Sequence, residues 1–83
     1  MNKRIEIEQR AGMFFVFLRY MYVRMMVSGY SYKEYHNELI AVAGGQVGDL
    51  YAESRMLAQE RAEKYRETHS GIEKIVFKKG NQR

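Results

Sequence analysis

SYKEYHNELIAVA, residues 31–43, is the stretch on which the reading of this chain turns. Ser31 stands three residues before Glu34, the spacing of a capping box in which each side chain satisfies a backbone N–H at a helix start. Tyr30 and Tyr35 occupy the positions of a hydrophobic staple, and Tyr35, Leu39 and Val42 then share one helical face. Gly44-Gly45 follows, offering the left-handed backbone that closes helices. The pattern predicts a helix over about 31–43.

Downstream, Gly44-Gly45-Gln46-Val47-Gly48 reads as a flexible connection in a chain without proline. Asp49 is placed to cap a long helix from about Leu50 to His69 that Gly71 ends. Its inner stripe is Leu50, Ser54, Leu57, Ala58, Ala62 and Tyr65, and the alanines let it approach a sheet closely. Residues 72–77 read as a last strand, followed by a frayed basic tail from about Gly80 to Arg83. Upstream, Ile5-Glu6-Ile7-Glu8 alternates with period two, Gln9-Arg10-Ala11-Gly12 supplies a turn, and Met13 to Leu18 is strand-prone, so a hairpin opens the chain. Tyr and Val in residues 19–27 extend its second strand as far as the turn at Ser28-Gly29. The expectation is a single α+β domain over residues 1–83. A small antiparallel sheet, made of the N-terminal β-hairpin and the C-terminal strand, packs against a shorter helix (31–43) and a long one (50–69).

Composition bounds the function classes. Eighty-three residues with 46% apolar and 29% charged content make one globular domain and leave no room for a second. The absence of cysteine excludes disulfides and thiolate metal sites, the usage of a reducing cytoplasm, where the chain is expected to work. The N-terminal segment lacks the pattern of a signal peptide, and Arg19 and Arg24 interrupt the apolar run too often for a bilayer span, so no membrane partner is expected. The net charge of +4 is segregated. Residues 1–33 carry six basic and two acidic groups, residues 34–73 four and eight, and residues 74–83 four and none. If the two ends lie side by side in one sheet, they make a positive region opposite an acidic helix face.

Catalytic and metal chemistry is not expected. His36 and His69 are the only histidines, and His36-Asn37-Glu38 lacks the cysteine half of a zinc deaminase signature. Gly44-Gly45-x-x-Gly48 is followed by Asp49, whose charge repels phosphate, and lacks the lysine of a phosphate-binding loop. Glu60, Glu63 and Glu67 stand beside Arg and Lys on a polar helix side, as solvated ion pairs rather than a buried acid–base pair. The sequence therefore predicts no enzyme, no cofactor and no metal.

Binding remains. Sixteen of the 23 residues from Met13 to Tyr35 are apolar or aromatic, including five of the seven tyrosines. A small domain buries only ~60% of the surface its unfolded chain exposes, so part of this run is expected to meet a partner. Tyrosine, arginine and methionine are favoured at interfaces, which nominates Arg19, Tyr20, Tyr22, Arg24, Tyr30 and Tyr32 as partner-binding residues. An alternative is a small basic nucleic-acid-binding protein. Aromatic side chains on a sheet face would stack bases while Arg19, Arg24 and a basic patch of Lys74, Lys78 and Lys79 hold the backbone. A helix-turn-helix is disfavoured, because Asp49 and Glu53 would open its recognition helix. A homodimer through an edge strand or through the aromatic run is a further option.

No family motif is present from which a residue's role could be transferred. In general organisation the chain resembles the small accessory proteins of phages and mobile elements, anti-CRISPR proteins among them. That resemblance implies a single domain in the host cell cytoplasm that binds a host protein or protein–nucleic acid complex and blocks it sterically.

Overall fold

A computed structural model describes residues 2–80. Lys3–Arg10 (β1) and Met13–Met25 (β2) form the expected hairpin. Its two-residue turn, Ala11-Gly12, has positive φ at both positions (49° and 75°), as tight hairpin turns require to match the twist of their strands. Ser31–Gly44 (β3), the helix Tyr51–Thr68 (α1) and Ile72–Lys79 (β4) follow. The sheet order is β3-β2-β1-β4.

Residues 31–44 are therefore a strand, and the predicted shorter helix does not form. Every residue of β2 has a partner in β3, from Met13 opposite Gly44 to Met25 opposite Ser31. That ladder outweighs a capping box worth ~1 kcal/mol, and Tyr32, Tyr35, Ile40 and Val42 suit a pleated surface. On an extended chain Ser31 and Glu34 point to opposite faces. Glu34 instead accepts hydrogen bonds from Tyr22 and Tyr32. Ile40 is the extra residue at a register shift opposite Val16/Phe17.

The sheet also differs from expectation in having four strands and mixed direction. β1 and β2, and β2 and β3, are antiparallel, whereas β4 lies parallel to β1. Helix α1 is the crossover that parallel strands need, carrying the chain from β3 over one sheet face to the far edge. The two terminal segments thus lie side by side.

Ile5, Ile7, Phe14, Val16, Leu18 and Ala43 line the helix-side face and are buried against Ala58 and Ala62, with Ile72 closing the far end. Of the predicted helix stripe, Ser54, Ala58 and Ala62 are buried and Tyr65 packs on the core, while Leu50 and Leu57 stay exposed. Gly44 marks how closely the layers approach. Its φ is +86°, and a Cβ there would lie 2.9 Å from the Gly12 carbonyl oxygen and 3.1 Å from Ser54 Oγ. Asp49 is not the helix cap. Leu50 holds that position without a side-chain bond, and Asp49 Oδ2 accepts from the Gln46 N–H at 2.9 Å. Arg66 ties the helix end to β4 through the carbonyls of Ile72 and Glu73. Of the predicted frayed tail, Gly80 donates its N–H to the Gln9 carbonyl at 2.7 Å, and residues 81–83 lie outside the described residues.

The molecule is elongated, 55 × 32 × 16 Å with a radius of gyration of 15.4 Å. A compact chain of this length has a radius nearer ~12 Å. The difference is the β2–β3 hairpin. The helix ends over Leu18, where Tyr65 and His69 share a hollow with it, but β2 continues to Met25. The hairpin projects past Tyr20 by roughly 17 Å before its turn.

Candidate functional site

Two surfaces gather the residues that sequence reasoning singled out. The first is the projecting hairpin arm. On its helix-side face, strand alternation brings Tyr20, Tyr22 and Arg24 of β2 opposite His36, Glu34 and Tyr32 of β3. Glu34 organises this cluster. It accepts from the hydroxyls of Tyr22 and Tyr32 and from Arg24 Nη1 at 3.3 Å. The Tyr22 hydrogen bond, helped by Arg24, holds the Glu34 carboxyl below its ordinary range, and the same bond raises the Tyr22 hydroxyl. Tyr20 stacks on His36 at 4.7 Å between ring centres, and His36 Nε2 lies 2.9 Å from Glu38 Oε1. The opposite face of the arm carries Met21, Val23, Met25, Lys33 and Tyr35. Met25 is 73% exposed and Tyr35 76%; Met26, Val27 and Tyr30 in the turn are exposed as well.

The second surface is the sheet face that no helix covers. Arg4, Glu6, Glu8 and Arg10 of β1 lie there beside Phe15, Phe17 and Arg19 of β2 and Lys74, Val76 and Lys78 of β4. Although this is the open face, Glu6 is only 1% exposed and Glu8 8%. Long cationic side chains cover them. Arg4, Arg19 and Lys78 pair with Glu6, and Arg10 and Arg19 with Glu8. Burial alone pushes the Glu6 carboxyl up, but hydrogen bonds from Arg4, Arg19 and Lys78 prevail and bring it down from 4.5 to about 2. Glu8 moves the same way: burial raises it, and the bond and charge of Arg19, with Arg10, outweigh that. Arg19 spans both carboxylates, donates through Nε to Asn37 Oδ1 at 2.8 Å, and lies over the Phe17 ring at 4.2 Å.

Of the six predicted partner-binding residues, the structure brings Tyr20, Tyr22, Arg24 and Tyr32 together, places Tyr30 beside them in the turn, and puts Arg19 on the opposite face. Lys74 and Lys78 of the predicted basic patch share the open face, while Lys79 alternates to the helix side. Arg24 likewise does not belong to the open face. The sequence reading missed the Glu6–Glu8 network. Its signal was Arg4-x-Glu6-x-Glu8-x-Arg10, four charges at period two that a strand must place on one face. It also missed the exposed methionines at the arm tip.

Among the described residues no three His, Asp or Glu side chains gather in a metal-binding set, and no helix is long and apolar enough to cross a membrane. Comparison with family models, with curated proteins and with solved structures finds no match to this chain.

Proposed function

We propose that this chain is a non-enzymatic protein-interaction module that docks on a partner protein through the β2–β3 arm and blocks it sterically. In kind it is an inhibitor or regulator such as phages and mobile elements direct against a host machine, anti-CRISPR proteins among them. The observation that carries this reading is the arm itself. A two-stranded ribbon is marginal in water, and a soluble monomer rarely displays a contiguous apolar patch of more than a few hundred Å². Here Val23, Met25, Met26, Val27, Tyr30 and Tyr35 are all exposed along one projecting hairpin. Flexible methionines adapt to a partner's surface, and tyrosines add large contact area with a polar end. The Glu34 cluster holds one face of the ribbon in shape, which lowers the ordering cost of binding.

The test is capture of partner from a lysate of the natural host, after nuclease treatment, by the wild-type protein and by a Met25→Ser/Met26→Ser/Val27→Ser variant. Wild type should retain a stoichiometric protein partner, and the variant should lose it while keeping the wild-type circular dichroism spectrum and melting temperature. Equal recovery by the folded variant would refute docking through the arm.

A further inference from the structure

We propose that the open face of the sheet is a binding surface for single-stranded nucleic acid, an inference that does not rest on the arm. Strand alternation places Arg4, Arg10, Arg19, Lys74 and Lys78 on this face beside Glu6 and Glu8. The two carboxylates are covered, so what a ligand meets is positive. Ion pairs to the buried anions also tether Arg4, Arg10 and Arg19, so part of the entropy that such long side chains lose on binding is already lost.

The layout of the charges selects the polyanion. Cations cluster at both ends of β1. At one end Asn2, Arg4, Arg19 and Asn37 border a hollow of about 380 Å³ that reaches round to Tyr20 and His36 at the base of the arm. At the other, Glu8, Arg10 and Lys78 border one of about 450 Å³. Arg4 and Arg10 are six residues apart, roughly 20 Å along the strand. Between them Phe15 and Phe17, stacked at 6.4 Å, lie beneath the guanidinium groups of Arg10 and Arg19, at 5.9 and 4.2 Å, with Leu39 and Val42 on the flanking β3. A surface with cations at its ends and guanidinium planes backed by aromatic rings between them suits a strand whose phosphates and bases alternate, since bases stack on such planes as they do on rings. An acidic peptide would leave the apolar middle without a matching partner. A duplex fits less well: four strands span ~14 Å, wider than the ~12 Å major groove, whereas a single strand lies on the face without having to admit it.

The test is fluorescence anisotropy with a labelled 20-nucleotide oligothymidine, the same length of duplex, and polyglutamate, between 50 and 200 mM salt. If Arg4, Arg10, Lys74 and Lys78 each neutralise one phosphate, the salt slope is about −2.8 and affinity falls ~50-fold across that range. In Lys74→Gln, which leaves Glu6 and Glu8 with all their cations, the fall should shrink to ~18-fold. Lys64→Gln, on the helix, should leave it at ~50-fold, as should the arm-tip triple serine variant, so this surface and the arm fail or succeed separately. The proposal is overturned if the oligothymidine does not bind at 50 mM salt, if duplex or polyglutamate binds as tightly, or if the folded Lys74→Gln variant keeps the full salt dependence.

Discussion

Glu6→Gln isolates the contribution of the carboxylate that the open face buries. Glutamine reproduces the shape of the protonated side chain, so the variant places the folded protein in the state that acid would produce. Glu6 titrates at about 2 in the folded protein against 4.5 ordinarily, a difference equivalent to roughly 3 kcal/mol. The direction is fixed by which state takes up the proton first. On acidification the unfolded chain protonates near 4.5 while the folded protein still holds the carboxylate ionised. The stabilisation is therefore complete above about pH 5 and is lost as the pH falls towards 2. Urea unfolding followed by circular dichroism should give wild type an advantage of roughly 3 kcal/mol at pH 7, more than half of it gone by about pH 3. Glu8 is present in both proteins, so its own acid titration enters both curves. A gap of the same size at pH 7 and pH 3 would refute the electrostatic account and leave only packing. A Glu6→Gln protein as stable as wild type at pH 7 would refute the network altogether.

Two further outcomes test the scaffold. Phe14 is fully buried where the sheet meets Tyr51 and Phe77, so Phe14→Ala should cost ~3–5 kcal/mol in chemical denaturation; a loss under ~1 kcal/mol would mean that the helix does not cover it. Ala11 holds φ +49° in the first turn, a conformation costing a residue with a Cβ roughly 1–2 kcal/mol, so Ala11→Asn should raise stability by up to ~1 kcal/mol, read as an increase in melting temperature.

The long helix and the hairpin were legible in the sequence because each carries a signal that tertiary structure reinforces. Ser54, Ala58 and Ala62 recur at helical spacing, and Ala11-Gly12 separates two strand-prone runs. Residues 31–43 misled for the opposite reason. Ser31 and Glu34 satisfy a local helix-start pattern, but a local pattern says nothing of the 13-residue strand waiting to pair with them. The parallel placement of β4 was hidden as well, since a strand's direction depends on where the preceding helix delivers the chain. The same limit explains the open face. Alternation marks Glu6 and Glu8 only as facing away from the core, and the neighbouring strands bring Arg19 and Lys78 over them.

β2 joins these surfaces physically. Phe14, Val16 and Leu18 fix it to the helix, Phe15, Phe17 and Arg19 build the open face from the alternate positions, and Met21 to Met25 carry the same strand into the arm. Because successive residues point to opposite faces, a substitution on the open side alters binding chemistry without removing a core side chain, provided the buried carboxylates keep their cations. Arg19 is the exception. It pairs with both Glu6 and Glu8 and covers Phe17, so removing it would uncover two buried charges and unsettle the strand that supports the arm. The residues that can be altered freely to separate the two binding surfaces are instead those that end in solvent: Lys74 at the far edge of the sheet, and Met26 and Val27 at the tip.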